Sequence, residues 1–263
     1  MISYALRESR TLVLMPPISS DALVLRTYKL GETSKVVVLL TRDRGKLRAV
    51  AKGARGARPR YQSSLEPLSE VRVGLYGRQG AELLRLGECE LVHSAFRAGA
   101  RGLDAALALS YFAELLDAFA QEGEAEDAVY RLALAILAAV EGGAETGVLA
   151  RYLEAWLLKL HGIYPPLDRC AGCDSALPAG DRRYHRPAHG FVCEGCGPAS
   201  GPVVGALDHD FLREVFARPP AAVVRRPSAG ELEAFHRDLI RRHLERDLHS
   251  HRVLRDVARE MRG

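Results

Sequence analysis

Long apolar runs are absent from this 263-residue sequence. No uninterrupted stretch approaches the roughly 18–20 residues that a membrane-spanning helix needs, which excludes a chain anchored by such a helix. The short run "TLVLMPPI" follows Arg7, Glu8 and Arg10 and is too brief for a secretory h-region, so no signal peptide is expected and the cytoplasm is the expected compartment. Aromatics are scarce, at 6% with a single Trp, which leaves little material for a stacking platform. The five cysteines are too few and too unevenly spread for a disulfide scaffold. Enzyme signatures are missing as well. Leu40 stands where the first glycine of a phosphate-binding G-x-x-x-x-G-K-[ST] would be, and there is no H-E-x-x-H, G-x-S-x-G or H-x-E before P-C-x-x-C. A non-enzymatic protein is the expectation.

What is present is sorted charge. The formal net charge is only +4, yet residues 1–90 carry 16 Lys and Arg against 9 acids, residues 91–160 carry 5 against 10, and residues 161–263 carry 16 against 14. Positive charge concentrated on the first third argues for an anionic partner held there. Its densest point is "GKLRAVAKGARGARPR" (45–60), with Lys46, Arg48, Lys52, Arg55, Arg58 and Arg60 and no acid. In a strand, Lys46, Arg48 and Lys52 share a parity and face one side, with Leu47, Ala49 and Ala51 on the other. "GARGARPR" continues as a glycine-punctuated loop able to follow a curved polyanion, and Arg26, Lys29, Lys35, Arg42 and Arg44 can join it. Neutralising several phosphates releases counterions and needs no sequence readout, so nucleic acid is the expected partner. A solvated, edge-protecting turn is the bland alternative. Tyr28, Tyr61 and Tyr76 are the nearby aromatics, expected as core or turn packing.

The periodicity divides the chain. Five short alternating segments, at 21–30, 35–41, 46–52, 69–76 and 81–92, predict a small five-stranded barrel of OB-fold or SH3-like scale. From Ser94 the period becomes helical, at 96–121, 127–141, 146–162, 208–218 and 231–248, with Pro165 and Pro166 ending the third helix. Ser228 and Glu231 have the spacing of a capping box, and Asp208 reads as a helix cap. The acids of "EGEAED" (122–127) read as solvated charge in a helix connection. The expected fold class is therefore α+β. A barrel domain occupies 1–90, with an extension at 1–19, and a helical domain at 91–263 carries an insert at about 168–200.

Within that insert, Cys170-x2-Cys173 and Cys193-x2-Cys196 are separated by 19 residues, a spacing that fits a four-thiolate zinc site. Four thiolates close the coordination sphere, so a single Zn²⁺ there is structural. Paired disulfides or a bare redox pair are the competing readings. His185 and His189 are expected on the enclosed loop's surface, and Cys89 as a small buried hydrophobe.

"GETSKVVVLLTRDRGKLRAVAKGARGARPR" followed by "LEPLSEVRV", with "AVAKGAR" (49–55) the most specific element, resembles the RecO family of bacterial recombination mediators. The quartet and the closing "LHSHRVLRDV" (248–257) fit the same pattern. The resemblance implies an amino-terminal OB-fold, a helical carboxy-terminal domain with an inserted zinc module, and no hydrolytic activity. It also implies binding of single- and double-stranded DNA, annealing of complementary strands, and work with RecR to let RecA replace single-strand-binding protein, whose acidic tail is a further expected partner. By position it places the DNA-binding face on Lys35, Arg42, Arg44, Lys46, Arg48, Lys52 and Arg55. The rival expectations are an RNA- or ribosome-associated OB-fold and zinc-ribbon protein, a nuclease using acids of the helical domain, and an adaptor for an acidic protein tail.

Overall fold

A computed structural model describes residues 18–55, 60–78, 81–178, 180–197, 201–228, 230–251 and 253. The barrel strands are β1 (Ile18–Leu30), β2 (Ser34–Thr41), β3 (Gly45–Ala51), β4 (Glu70–Tyr76) and β5 (Leu84–His93). They close in the order β1-β2-β3-β5-β4, with β3 and β5 parallel and every other pair antiparallel. This five-stranded closed order is an OB-fold barrel.

The alternation read from the sequence decides what fills it. Ala22, Val24, Val37, Leu39, Ala49, Ala51, Val71, Val73, Leu75 and Leu86 form the barrel's own core. The other parity of β1 and β2 is apolar too. A register shift between Val24 and Arg26 accompanies burial of Leu25, and Leu23, Leu25, Val38 and Leu40 join the core of the helical region. The barrel is thus packed through the back of its first two strands, and its exposed surface is what remains.

The helices are α1 (Phe96–Gly99), α2 (Leu103–Phe119), α3 (Asp127–Glu141), α4 (Thr146–Leu160), α5 (Ala206–Ala217) and α6 (Glu231–Leu244). The single helix expected over 96–121 is broken at Gly102, whose φ of 147° lies outside helical space. α4 is buried on nearly every side, and α2, α3 and α6 surround it. The insert is a three-stranded sheet in the order β7 (Gly190–Phe191), β6 (Arg182–His185), β8 (Val203–Val204). Tyr184 and Phe191 of this sheet pack on Phe235 of α6, with ring centroids 5.4 and 5.6 Å away.

Three local expectations are overturned. Ser228 does not cap α6. The helix starts after Gly230 without a side-chain cap, and Ser228 instead donates through its N–H and Oγ–H to the Asp208 carboxylate, both at 2.7 Å. Asp208 is therefore fully buried as a staple between α5 and the loop before α6, while at the start of α5 the Ala206 N–H donates to Asp181 Oδ1 at 3.1 Å. The acids of 122–127 are not merely solvated either, because Glu122, Glu126 and Asp127 meet Arg48, His161 and Arg42. In all three cases a distant partner in sequence out-competes a local one.

Candidate nucleic-acid interface and metal centre

The connector between α2 and α3 lies along the start of β3. Lys46 N–H donates to Gln121 O at 2.8 Å, and Gly123 N–H donates back to Lys46 O at 3.3 Å. Gly45 permits this approach: its φ is +63°, and a Cβ there would stand 2.0 Å from Glu124 O. The contact splits the predicted basic cluster in two.

One part faces the helical domain's carboxylates. Lys46, only 12% exposed, donates to Asp117 O at 2.7 Å and sits 3.7 Å from its carboxylate, so a residue expected on the open face is spent holding the seam. Asp117 also takes Arg26 at 3.6 Å. Arg48 pairs with Glu122 at 2.5 Å and Arg42 with Asp127 at 3.0 Å, both half-exposed, while Arg44 has only its neighbour Asp43 at 3.6 Å. The lone-sequence reading missed these partners because the acids come from another domain.

The other part gathers at one end of the barrel. Lys29 stands opposite Lys35 in the β1–β2 register, and Lys35 opposite Ala51, the residue before Lys52. Facing lysines repel, which disfavours this pairing unless an anion screens them. Arg55 is tied into the group by its N–H to Thr33 O and its guanidinium to Gly31 O, both at 2.9 Å. Arg60 joins through Gly53 O and Gly87 O, its guanidinium 5.4 Å from the Tyr61 ring centroid. Among the described residues Lys29, Lys35, Lys52, Arg55 and Arg60 have no ion pair, and Glu32 in the hairpin turn is the nearby acid. Arg58 lies outside the described residues, as do residues 1–17, which include "TLVLM".

Tyr28 departs from expectation. It is 45% exposed on the outer face of β1, with the Arg26 guanidinium 5.3 Å from its ring and donating to its hydroxyl at 2.6 Å. An exposed aromatic beside an arginine can stack a base. Tyr61 is buried as expected, donating to Leu86 O at 2.9 Å.

The four sulfurs of Cys170, Cys173, Cys193 and Cys196 lie within 4.8 Å of one another, with Cys173 and Cys193 3.7 Å apart. Tetrahedral ligation at about 2.3 Å per sulfur requires edges of about 3.8 Å, so the quartet fits one ion. Gly172 has no room for a side chain, since a Cβ would lie 2.9 Å from Cys196 Sγ. Backbone N–H groups of Cys193 and Gly172 point at Cys170 Sγ, both at 3.3 Å. The Cys193 amide foremost lowers that thiol's pKa to about 6, whereas hydrogen bonds among the crowded thiols push Cys196 up to about 12. Four sulfurs this close ionise together only around a cation. His185 and His189 stay outside the quartet, His185 Nδ1 accepting from Ala188 N–H at 3.2 Å. Cys89 is half-buried against the barrel core, and burial raises its pKa to about 11.

Two family models cover this architecture: Recombination protein O N terminal matches residues 15–95, over the barrel, and Recombination protein O C terminal matches residues 101–252. The chain belongs to the RecO family. Among curated relatives, "DNA repair protein RecO" of Koribacter versatilis is 34% identical over 235 residues, covering 87% of this chain and 94% of that one. The protein of the same name from Geobacter sulfurreducens is 31% identical over 245 residues, covering 93% of this chain and all of its own. That from Desulforudis audaxviator is 35% identical over 182 residues, 69% of this chain and 71% of the relative. RecO membership favours DNA repair and recombination over the RNA-associated alternative. Among the described residues no helix is long and apolar enough to cross a membrane.

Proposed function

We propose that this chain is a recombination mediator that binds single- and double-stranded DNA through the barrel domain at 1–90, at the cluster of Lys29, Lys35, Lys52, Arg55 and Arg60, with Arg58 between them in sequence. The observation that carries this is the facing Lys29–Lys35 pair joined by Lys52 and Arg55, with no carboxylate among the described residues bound to any of them. Arg42, Arg44 and Arg48 stand beside it as secondary contacts. Their exposed ion pairs are each worth only about 0.2–1 kcal/mol, so a phosphate competes with the acid. Lys46 is a structural cation of the seam.

Such a surface screens two strands at once and lets complementary bases meet, which is the physical basis of annealing. No covalent step is involved. The RecO family supports partnership with RecR, displacement of single-strand-binding protein through its acidic tail, and indirect loading of RecA, all in the cytoplasm. The quartet holds one Zn²⁺ that closes the insert and contributes folding energy.

The test is fluorescence anisotropy of single-stranded DNA across a salt titration. Replacing Lys29, Lys35, Lys52 and Arg55 by Gln should weaken binding alike for unrelated sequences and lower the log–log salt slope by about 0.7 for each phosphate no longer neutralised. A variant that binds with an unchanged slope would rule this face out.

A further inference from the structure

A second set of cations lies on α6 and the segment that follows it, beside Tyr111 of α2. Arg237, Arg241 and Arg246 rim a shallow depression with Tyr111, Ile240, Leu248 and His251 at its floor. All three arginines are exposed, and among the described residues Arg237 and Arg246 have no ion pair. The acids around them are already committed, with two exceptions. Buried Asp238 takes Arg186, Arg241 and Arg242 together, at 3.0–3.3 Å, which leaves net positive charge on that side of α6. Glu233 is held by His251 at 3.2 Å and by Arg151 at 3.8 Å. Glu114 accepts the N–H groups of His249 and Ser250 at 3.0 and 2.7 Å, as well as the Ser250 hydroxyl. The exceptions are Asp247, exposed at the rim, and Glu245, exposed and next to Arg246 in sequence.

Successive turns of α2 connect this patch to the barrel. Tyr111 floors the depression, Glu114 holds the segment at 249–250, and Asp117 is shared by Arg26 and Lys46 of the barrel. From Tyr111 to Asp117 the helix rises about 9 Å, little more than one inter-phosphate step of an extended strand. On that stretch Asp117 is paired with Arg26 and Lys46, and Glu114, hydrogen-bonded to neutral donors of 249–250, has the Arg26 guanidinium as its nearby positive charge, so the two acids a polyanion would cross are matched by two cations.

We infer that Arg237, Arg241 and Arg246 are a second phosphate-binding surface, continuing the nucleic-acid path from Arg26 and Tyr28 across the α2 seam onto α6. The inference rests on the DNA-binding reading of the barrel and extends it to longer strands. The occupant is the sugar-phosphate backbone of single-stranded DNA, because the patch offers guanidiniums around a depression too shallow to enclose a base. A barrel alone occupies a limited site of about 4–16 nucleotides, and a strand that also reaches α6 must be longer than the barrel's share.

The experiment compares single-stranded DNA probes of about 10 and about 30 nucleotides, bracketing that site size, bound to the full chain and to the variant Arg237→Gln/Arg241→Gln/Arg246→Gln. With three phosphates no longer neutralised, the salt slope for the long probe should fall by about 2 and its low-salt affinity by about tenfold, with the short probe unchanged. Exposed arginines leave the thermal unfolding midpoint in place, and that midpoint is measured alongside. An unchanged long-probe slope overturns the inference, and so does equal weakening of both probes. Retained DNA slope with abolished binding of a Glu/Asp-rich peptide would make the patch a peptide site and overturn it too. If Lys52→Gln/Arg55→Gln weakens both probes while the α6 variant weakens neither, the barrel reading stands and the extension alone fails. A wild-type chain that binds neither probe overturns both.

Discussion

Glu154 carries the most demanding position in the helical core. Its carboxylate accepts Tyr111 Oη–H at 2.6 Å and Arg151 Nη2–H at 2.7 Å on one oxygen, and His236 Nδ1–H at 2.8 Å on the other. His236 Nε2 in turn lies 2.9 Å from the Tyr164 hydroxyl. Burial by itself raises the pKa of Glu154, yet Arg151 and His236 outweigh it and hold the group below the usual carboxylate range. Burial likewise keeps His236 below its ordinary value, so at neutral pH the network is one anion, one cation and a neutral imidazole that donates to the acid. Replacing Glu154 by Gln takes the close counter-ion from buried Arg151 and leaves it only the Glu233 carboxylate at 3.8 Å, and breaking such a buried pair costs about 3–5 kcal/mol. The urea midpoint should fall accordingly with the m-value unchanged; a loss under about 1 kcal/mol would mean that Arg151 finds water instead. Nothing in "LARYLEAWLLKL" marked Glu154, because its partners lie 3, 43 and 82 residues away and only packing brings them together.

At the scale of elements, legibility follows the range of the determining interaction. The five strands were readable because alternation is set by adjacent residues, and their observed spans differ from the expected ones mainly at the ends, such as β1 starting at Ile18 and β5 at Leu84. The quartet was readable because each Cys-x2-Cys knuckle is local. Ser228 was misread because its hydroxyl can either accept from the amides at the start of its own helix or donate to a carboxylate, and the buried Asp208 carboxylate on α5 takes it as a charge-assisted donor. The insert's sheet strands contain four, two and two residues, too few for independent stability, so a metal held by the quartet would contribute most to its fold. One equivalent of zinc should be found by elemental analysis, and chelation or Cys173→Ser should raise amide exchange across residues 168–200 and the facing side of α6, around Phe235. The barrel's amides should keep their protection, since its core is closed by its own residues. Uniform exchange before and after chelation would show that the metal contributes nothing to the insert.

For the molecule as a whole, the acidic middle of the sequence and its basic first third meet each other before either meets a ligand. The sequence showed both charges but not that the connector between α2 and α3 would be hydrogen-bonded to the start of β3 and set Glu122 and Asp127 on Arg48 and Arg42. The predicted face of seven cations is thereby reduced, since Lys46 is enclosed and the two arginines are paired with acids. On the proposed DNA-binding reading, these carboxylates compete with phosphates for the two arginines. The two pairs are about half exposed, so each contributes little to stability, and Asp127 additionally holds Arg131 at 2.8 Å within its own helix. Removing the acids should therefore alter binding more than folding. The variant Glu122→Gln/Asp127→Asn is expected to unfold within about 1 kcal/mol of the parent and to bind single-stranded DNA several-fold tighter at low salt. Its salt slope should be steeper by up to about 1.4, two freed guanidiniums at about 0.7 each. Combining it with Arg42→Gln/Arg48→Gln should return affinity and slope to the parent's level or below, because the gain has to pass through those two arginines. If the acid variant tightens binding equally with and without Arg42 and Arg48, the effect is a general change in net charge, and the connector does not compete with DNA for the barrel.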